Sequence, residues 1–147
     1  MLTIIQRVTT ANVTVNSILV GEIGKGIMAL VAVEKDDNKK GAQRLLERIL
    51  NYRIFPDEND RMNLSLLDIE GGLLLVPQFT LAANTDKGNR PSFASAAPPE
   101  MGQELFGYLM VIAKATYPSV QFGEFGADMK VSLINDGPVT FTLRAQG

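Results

Sequence analysis

The sequence predicts an α/β fold: a mixed β-sheet, partly doubled into two β layers, with two helices packed outside it. Two segments place apolar residues at helical spacing, and several others alternate with a period of two. Two continuous apolar runs, Gly26 to Val33 and Leu73 to Val76, suit strands that are buried on both faces. At 147 residues and 46% hydrophobic content, the chain is expected to form a single domain over residues 1–147.

The N-terminal half is predicted to supply strands followed by a helix. Alternation indicates strands at about 2–9, 12–15 and 18–23, with a turn at Asn16-Ser17. The glycines at 21, 24 and 26 fail the spacing of a phosphate-binding loop, so a turn between strands is favoured. A helix from about 38 to 53, capped by Asp36, Asp37 or Asn38, turns its apolar stripe to the sheet and its charges to solvent.

The C-terminal half is predicted to contain a hairpin, a long loop, a second helix and two strands. The hairpin joins 64–69 to 73–79 through Glu70-Gly71-Gly72, and its second strand is buried. Residues 82–99 are loop-like, and so long a loop in a compact domain indicates a functional segment. The second helix starts at Pro98-Pro99-Glu100 and ends near Tyr117.

The absence of two residue types limits the chemistry. The chain has no His and no Cys, which excludes Ser-His-Asp and Cys-His nucleophile systems and the commonest soft metal ligands. Any metal would have to be a hard ion with oxygen ligands, and no acidic cluster has the spacing of such a site, so we expect no metal and no cofactor. An enzyme of this composition must use carboxylates, hydroxyls, Lys, backbone groups or the substrate itself.

Charge and hydropathy limit the partners. The net charge of −2 is unlike that of proteins that grip long stretches of nucleic acid, so DNA is not expected, and RNA is expected to bind through a few contacts at an end. No apolar run reaches the ~18 residues of a membrane span. The N-terminus lacks the features of a signal peptide, which predicts a cytoplasmic protein without membrane association.

The most informative stretch is Asn135-Asp136-Gly137-Pro138-Val139-Thr140, which lies between two alternating segments. Asp-Gly alone would suggest a two-residue hairpin, but the proline cannot donate to a ladder, so Gly-Pro belongs at a turn or strand edge. Local evidence favours a trans bond, because only about 5–6% of X–Pro bonds in folded proteins are cis.

Together with Pro77-Gln78-Phe79-Thr80-Leu81, this stretch resembles the motif pair of the D-aminoacyl-tRNA deacylases. Further matches occur in order along almost the whole chain: Gln6-Arg7-Val8, Gly21-Glu22-Ile23-Gly24, Val33 to Asp37, Arg53-Ile54-Phe55, Met62-Asn63, Arg90-Pro91-Ser92-Phe93 and Ala127-Asp128-Met129. One position departs from the pattern, since the family usually has Ser where this chain has Pro77.

The resemblance implies a hydrolase that cleaves the ester of D-aminoacyl-tRNAs and recognises the 3′ aminoacyl-adenosine end of tRNA. Gln78, Phe79 and Thr80 are the candidate catalytic residues, and the resemblance assigns catalysis mainly to backbone atoms and the terminal adenosine's 2′-hydroxyl. Thr80 offers a hydroxyl nucleophile, but no neighbouring residue can take its proton. A Thr80 hydroxyl that only orients the site is at least as well supported.

The resemblance also implies that Gly137-Pro138 is cis, enters the active site of a partner subunit and rejects L-aminoacyl groups, which is chiral proofreading in translation. Glycine, which has no side chain to clash, should pass this filter, so glycyl-tRNA is an expected second substrate. Arg7 resembles the family arginine that buttresses the Gly-Pro motif, and Asn135 and Met129, which lie in matched motifs, are expected to support the site. The alternative is a non-catalytic dimeric module that binds RNA ends or D-amino-acid derivatives.

Overall fold

The computed structural model describes residues 1–147 and confirms the predicted α/β class. Six strands form one mixed sheet, two further short strands form a second, and three helices are present. The strands and helices are β1 (Leu2–Val15), β2 (Ile18–Ile23), β3 (Gly26–Ala32), α1 (Lys39–Asn51), β4 (Phe55–Pro56), β5 (Met62–Leu64), α2 (Leu66–Ile69), β6 (Gly72–Pro77), α3 (Pro99–Thr116), β7 (Val120–Phe122) and β8 (Met129–Arg144). None of the helices is both long and apolar enough to cross a membrane.

The large sheet has the strand order β2-β1-β3-β6-β7, and β8 pairs along the other edge of β1. Strand β1 pairs antiparallel with its neighbours, whereas β3, β6 and β7 run parallel to one another. The first half of β1 pairs with β3, and its second half, from Ala11 onward, pairs with β2. A single long strand therefore continues from the part of the sheet under the helices into the second β layer.

Two apolar cores lie on opposite faces of the β3–β6 region. The larger cluster of 25 buried residues includes the apolar faces of α1 and α3, and the smaller cluster of 7 includes Val13, Ile23 and Leu74. The β layers approach closely, because a Cβ added to Gly72 would lie 2.8 Å from Cβ of Ile23. The start of β6 therefore lies directly against the end of β2 in the second β layer.

The predicted hairpin over residues 64–79 is wrong. Residues Leu66–Ile69 form α2, and β6 pairs in parallel with β3 instead of with the preceding segment. Ser65 accepts a hydrogen bond from the Asp68 N–H at 3.2 Å, and the Asp68 carboxylate accepts one from the Ser65 N–H at 2.8 Å. This reciprocal cap stabilises a helical turn, and its backbone hydrogen bond lowers the pKa of Asp68 below its ordinary value.

The boundaries of the two long strands, β1 and β8, also differ from the prediction. Residues 10–11, which were predicted to separate two strands, do not interrupt β1, because Thr10 pairs with β8 and Ala11 pairs with both β2 and β8. The two strands predicted around Gly137-Pro138 are two parts of β8, and both pair with β1 rather than with each other. Gln6 faces Thr140 and Val8 faces Asn135, so residues 136–139 leave the ladder opposite Arg7. They form the projecting segment that we call the corner.

Both long helices are confirmed. Asn38 caps α1, with its side-chain Oδ1 accepting a hydrogen bond from the Gly41 N–H at 2.9 Å. Helix α3 starts at Pro99, where the missing N–H of proline costs no helical hydrogen bond. The long loop is confirmed as well, since no helix or strand lies between a short 3₁₀ helix at Phe79–Ala82 and α3.

Candidate active site

The candidate site is a pocket of about 420 Å³ at the carboxyl ends of the parallel strands β3 and β6. The start of α3 and the segment after β7 close its other sides. The lining residues are Val31, Val33, Val76, Pro77, Gln78, Phe79, Ala97, Pro99, Gly102, Phe106, Phe125, Gly126, Ala127, Met129 and Val131. None of them carries an ionisable side chain, so the polar groups available inside the pocket are the Gln78 amide and the backbone.

The rim of the pocket is the turn that follows β6. Strand β6 ends at Pro77, and the Gln78 N–H donates to the Val31 carbonyl at 2.8 Å. The chain then enters the 3₁₀ helix, whose first backbone hydrogen bond runs from the Leu81 N–H to the Gln78 carbonyl at 3.2 Å, so the N–H groups of Phe79 and Thr80 have no acceptor within the helix. The prediction placed these amides at a sheet edge, but β6 lies between β3 and β7, so they project from the end of a central strand.

The Thr80 hydroxyl is engaged by its neighbour. The side-chain Nε2–H of Gln78 donates a hydrogen bond to Thr80 Oγ1. Thr80 is exposed and does not line the pocket. Its position at the rim, with an amide donor as its side-chain partner, favours an orienting role over a nucleophilic one, because an amide N–H cannot remove a proton.

Pro77 and Met129 form part of the apolar wall. Pro77 is buried, and a Cβ added to Gly123 would lie 2.8 Å from Met129 Sδ and 3.2 Å from Pro77 Cδ. The Met129 sulfur also accepts a hydrogen bond from the Glu124 N–H at 3.3 Å. Where the resembled family usually has a serine hydroxyl, this pocket therefore presents a closely packed prolyl ring.

The corner is held by hydrogen bonds from two side chains. The guanidinium of Arg7 donates to the Asp136 carbonyl at 2.9 Å and to the Ile54 carbonyl at 2.8 Å. Asn135 accepts from the Val139 N–H at 2.9 Å and donates to Thr140 Oγ1 at 2.8 Å. The Gly137–Pro138 bond is cis, as the resemblance implied and against the expectation from local sequence.

The chain brings the predicted site residues together in two groups. Gln78, Phe79 and Met129 line the pocket and Thr80 lies beside it, whereas the corner residues Gly137 and Pro138 are exposed and line none of it. Arg7 and Asn135 belong to the corner group. Strand β1 is paired on both edges, and the side chain of Arg7 is only 13% exposed. Arg7 is therefore not a solvent-exposed charge on an edge strand.

Several lining residues were missed from the sequence. Gly102 on α3 and Phe125 and Gly126 after β7 carry no polar group that would single them out. A Cβ on Gly102 would lie 3.2 Å from the Phe125 ring, so the absence of a side chain keeps this wall open. Phe93 belongs to the Arg90-Pro91-Ser92-Phe93 motif, and its ring packs against Phe79 with centroids 5.4 Å apart.

Comparisons with known proteins show which family the chain belongs to. The family model described as D-Tyr-tRNA(Tyr) deacylase matches residues 4–144. A protein of Pseudoalteromonas translucida named D-aminoacyl-tRNA deacylase is 61% identical over 140 residues, covering 95% of this chain and 97% of its own. One of the same name from Teredinibacter turnerae is 57% identical over 145 residues, covering 99% and 100%.

Two solved structures are also similar. One, described as the c-Myc DNA Unwinding Element Binding Protein, superposes with a TM-score of 0.94 at 36% identity over 100% of both chains. The other, described as a probable eukaryotic D-amino acid tRNA deacylase, has a TM-score of 0.82 at 19% identity over 97% of both chains and supports the fold alone.

The fold and the relatives define an enzyme of the hydrolase class, which confirms the prediction made from the sequence. The chain belongs to the D-Tyr-tRNA(Tyr) deacylase family.

Proposed function

We propose that this protein hydrolyses the ester that joins a D-amino acid to the terminal adenosine of tRNA, and that it spares L-aminoacyl-tRNAs. Water adds to the ester carbonyl, the bond to the ribose oxygen breaks, and free tRNA and amino acid result. Family membership and the site geometry support this proposal. We further propose that residues 1–147 form one deacylase domain and that it acts in the cytoplasm.

The observation that carries the proposal is a pocket at the end of β6 without any ionisable side chain. An aminoacyl ester is already activated, so its hydrolysis needs a positioned water and hydrogen-bond donors for the developing oxyanion. The N–H groups of Phe79 and Thr80 at the rim are suitable donors. The substrate's own 2′-hydroxyl then orients the water, and the Gln78–Thr80 pair fixes the rim.

Rejection of L-aminoacyl groups is assigned to the corner of a second copy. The corner is exposed and lies outside the pocket of its own chain, so a homodimer with two-fold symmetry would supply each pocket with a corner from its partner. Discrimination by a rigid backbone requires fixed carbonyl positions. The hydrogen bonds of Arg7 and Asn135 provide that rigidity.

A backbone filter acts on the configuration at the α-carbon and not on the identity of the side chain. D-amino acids of different sizes should therefore pass, because the pocket lining holds no charged side chain that would select one of them. Glycine lacks the side chain that a filter of this kind excludes, so we propose that glycyl-tRNA is also hydrolysed.

The proposed partner is the 3′ end of tRNA and not DNA. One relative is described as a DNA-unwinding-element binding protein, so double-stranded DNA is a necessary comparison. This chain carries 14 basic and 16 acidic residues, and such a balance suits few contacts at an RNA end rather than docking along a duplex backbone.

The test is hydrolysis of D-tyrosyl-tRNA, L-tyrosyl-tRNA and glycyl-tRNA by the purified protein. We expect turnover of the D-tyrosyl and glycyl substrates and none of the L-tyrosyl substrate above the uncatalysed rate. Tight binding of the RNA end without turnover would instead establish a non-catalytic module. Binding of duplex DNA with an affinity equal to that for tRNA would contradict the proposed choice of partner.

The action of the corner across subunits has its own test. Gly137→Ala chains should hydrolyse some L-tyrosyl-tRNA, and Gly102→Phe chains, whose pocket is filled, should hydrolyse nothing. Co-expression of Gly137→Ala with excess Gly102→Phe should restore rejection, because an intact corner then enters each open pocket. Co-expression with the double variant Gly102→Phe/Gly137→Ala is the control and should not restore it. Persistent L-hydrolysis in the first mixture would show that the corner does not act in trans.

A further inference from the structure

An exposed aromatic pair stands at the mouth of the pocket. Phe79 and Phe93 are 60% and 42% exposed, and their rings meet at 47° with centroids 5.4 Å apart. Phe79 lines the pocket, whereas Phe93 lies outside it. Large aromatic side chains left in solvent beside a binding pocket suggest a surface for a ligand that extends beyond the pocket.

Two cations lie on the loop next to this pair. Asn84 and Ser92 exchange backbone hydrogen bonds of 2.7 and 3.0 Å, so residues 85–91 project as a closed loop immediately before Phe93. Lys87 and Arg90 are exposed on that loop, and neither makes an ion pair within the chain. The loop that leads directly into Phe93 thus carries two basic side chains without an ion pair, and Asp86 is its one acidic side chain.

We propose that the Phe79–Phe93 pair, together with Lys87 and Arg90, binds the nucleotide that precedes the terminal adenosine of tRNA. This inference rests on the proposed function. Single-stranded nucleic acids are commonly bound by stacking bases on aromatic rings while basic side chains contact the phosphates. The 3′ end of tRNA is single-stranded, so its bases are free to stack on a protein surface.

The size of the pocket supports this placement. A volume of about 420 Å³ lies at the lower end of the ~300–1,000 Å³ range of small-ligand pockets. A pocket of this size suits one aminoacyl-adenosine, so the proposal places the preceding nucleotide outside it. Because the chain of the RNA is continuous, that nucleotide must leave through the mouth, where Phe79 forms part of both the wall and the exposed pair.

The test compares three substrates of increasing length: 3′-O-D-tyrosyl-adenosine, the D-tyrosyl trinucleotide ending in CCA, and D-tyrosyl-tRNA. Phe93→Ala should lower kcat/KM for the trinucleotide and for tRNA by about 5- to 150-fold, the range for loss of one base stack. Hydrolysis of the adenosine ester should be unchanged. Phe93→Tyr should retain the wild-type rates, whereas Phe93→Leu, which keeps apolar volume without a stacking face, should lose them as alanine does.

The chain offers a control in a second aromatic pair, formed by exposed Phe141 and half-buried Tyr52. Phe141 is 36% exposed, and its ring lies 5.8 Å from that of Tyr52 at 55°, away from the pocket. Phe141→Ala should not change the ratio of trinucleotide to adenosine activity. Arg90→Gln should reduce the slope of log(kcat/KM) against log salt by about 0.7 for the trinucleotide, as expected for one phosphate contact with a single strand.

Every alternative outcome rejects the subsite. An equal loss on all three substrates would make Phe93 a structural support of the pocket. A change in sedimentation of Phe93→Ala would make the pair a contact between subunits, and unchanged rates would leave it without a role in binding. Absence of hydrolysis by the wild-type protein would instead reject the proposed function, and the two failures are therefore distinguishable.

Discussion

Replacing Gly137 by alanine is the sharpest test of the corner. Gly137 has a φ of +142°, a backbone conformation that L-residues rarely adopt. An added Cβ would lie 2.6 Å from Val139 Cγ2, 2.9 Å from the Val139 nitrogen and 3.3 Å from Arg7 Nη2. Val139 is buried and its N–H is hydrogen-bonded to Asn135, so Val139 cannot easily move. The corner itself must therefore shift.

The expected loss of stability in Gly137→Ala follows from the backbone strain at residue 137. A non-glycine residue in such a conformation costs about 1–3 kcal/mol, and the close contacts with Val139 increase the cost. A loss of about 2–3 kcal/mol lowers the unfolding midpoint by about 4–12 °C for a chain of this length. A displaced corner should also lower the ratio of D- to L-tyrosyl-tRNA hydrolysis by about 10- to 100-fold, since misplacement by about 1 Å can cost a factor of 100.

The assay pairs thermal unfolding with single-turnover hydrolysis of both stereoisomers. Two glycines serve as controls. No atom lies within 4 Å of a Cβ added to Gly24, and the same is true of Gly88, whose φ is +68°. Gly24→Ala should therefore leave stability nearly unchanged, and Gly88→Ala should show the backbone cost alone. An alanine at 137 with the stability and the D-to-L ratio of the parent would refute the assignment of chiral rejection to the corner.

Three further outcomes are expected. Thr80→Ala should reduce the rate by less than about tenfold, far below the ~10⁶-fold loss of a true nucleophile, and a trapped acyl-Thr80 species would contradict this. EDTA should leave hydrolysis unchanged, because the pocket lining contains no His, Cys, Asp or Glu; loss of activity that a divalent ion restores would reveal a missed site. Burial, and secondarily the charge of Glu70, raise the pKa of Tyr117 above its ordinary value, so the stability contributed by its neutral form is present below pH ~10 and lost as pH rises through the folded-state pKa. Urea unfolding from about pH 8 to about pH 11 should therefore show a steeper loss for the parent than for Tyr117→Phe, and equal slopes would contradict this assignment.

Local interactions made much of this protein predictable from its sequence. Asn38 begins α1 and Pro99 begins α3 because the cap and the fixed φ of proline act within a few residues. A local signal of the same kind lies at Ser65 and Asp68, whose reciprocal cap begins a helix where the first strand of a hairpin was predicted. The loop over residues 82–99 was also predictable from its turn-forming residues.

Pairing between distant segments was not predictable in the same way. Alternation showed that the stretches on either side of Gly137-Pro138 are strands, but it did not show that both pair with β1. Strand register depends on which partner completes the hydrogen-bonding ladder, and that choice is made by packing across the sheet. The projection of the corner is a consequence of this shared partner.

The sequence by itself determined the residue types available for chemistry, the two long helices and the two motifs at Gln78-Phe79-Thr80 and Gly137-Pro138. Only the tertiary structure decided that the first motif borders an apolar pocket, that the second lies outside it, and that Phe93 stands beside Phe79. The physical reason is that residue chemistry and caps are local properties of the chain. The pocket wall, in contrast, is built from apolar residues of β3, β6, α3 and the segment after β7. No local feature distinguishes these residues from core residues, and they become neighbours only when the sheet and helices pack.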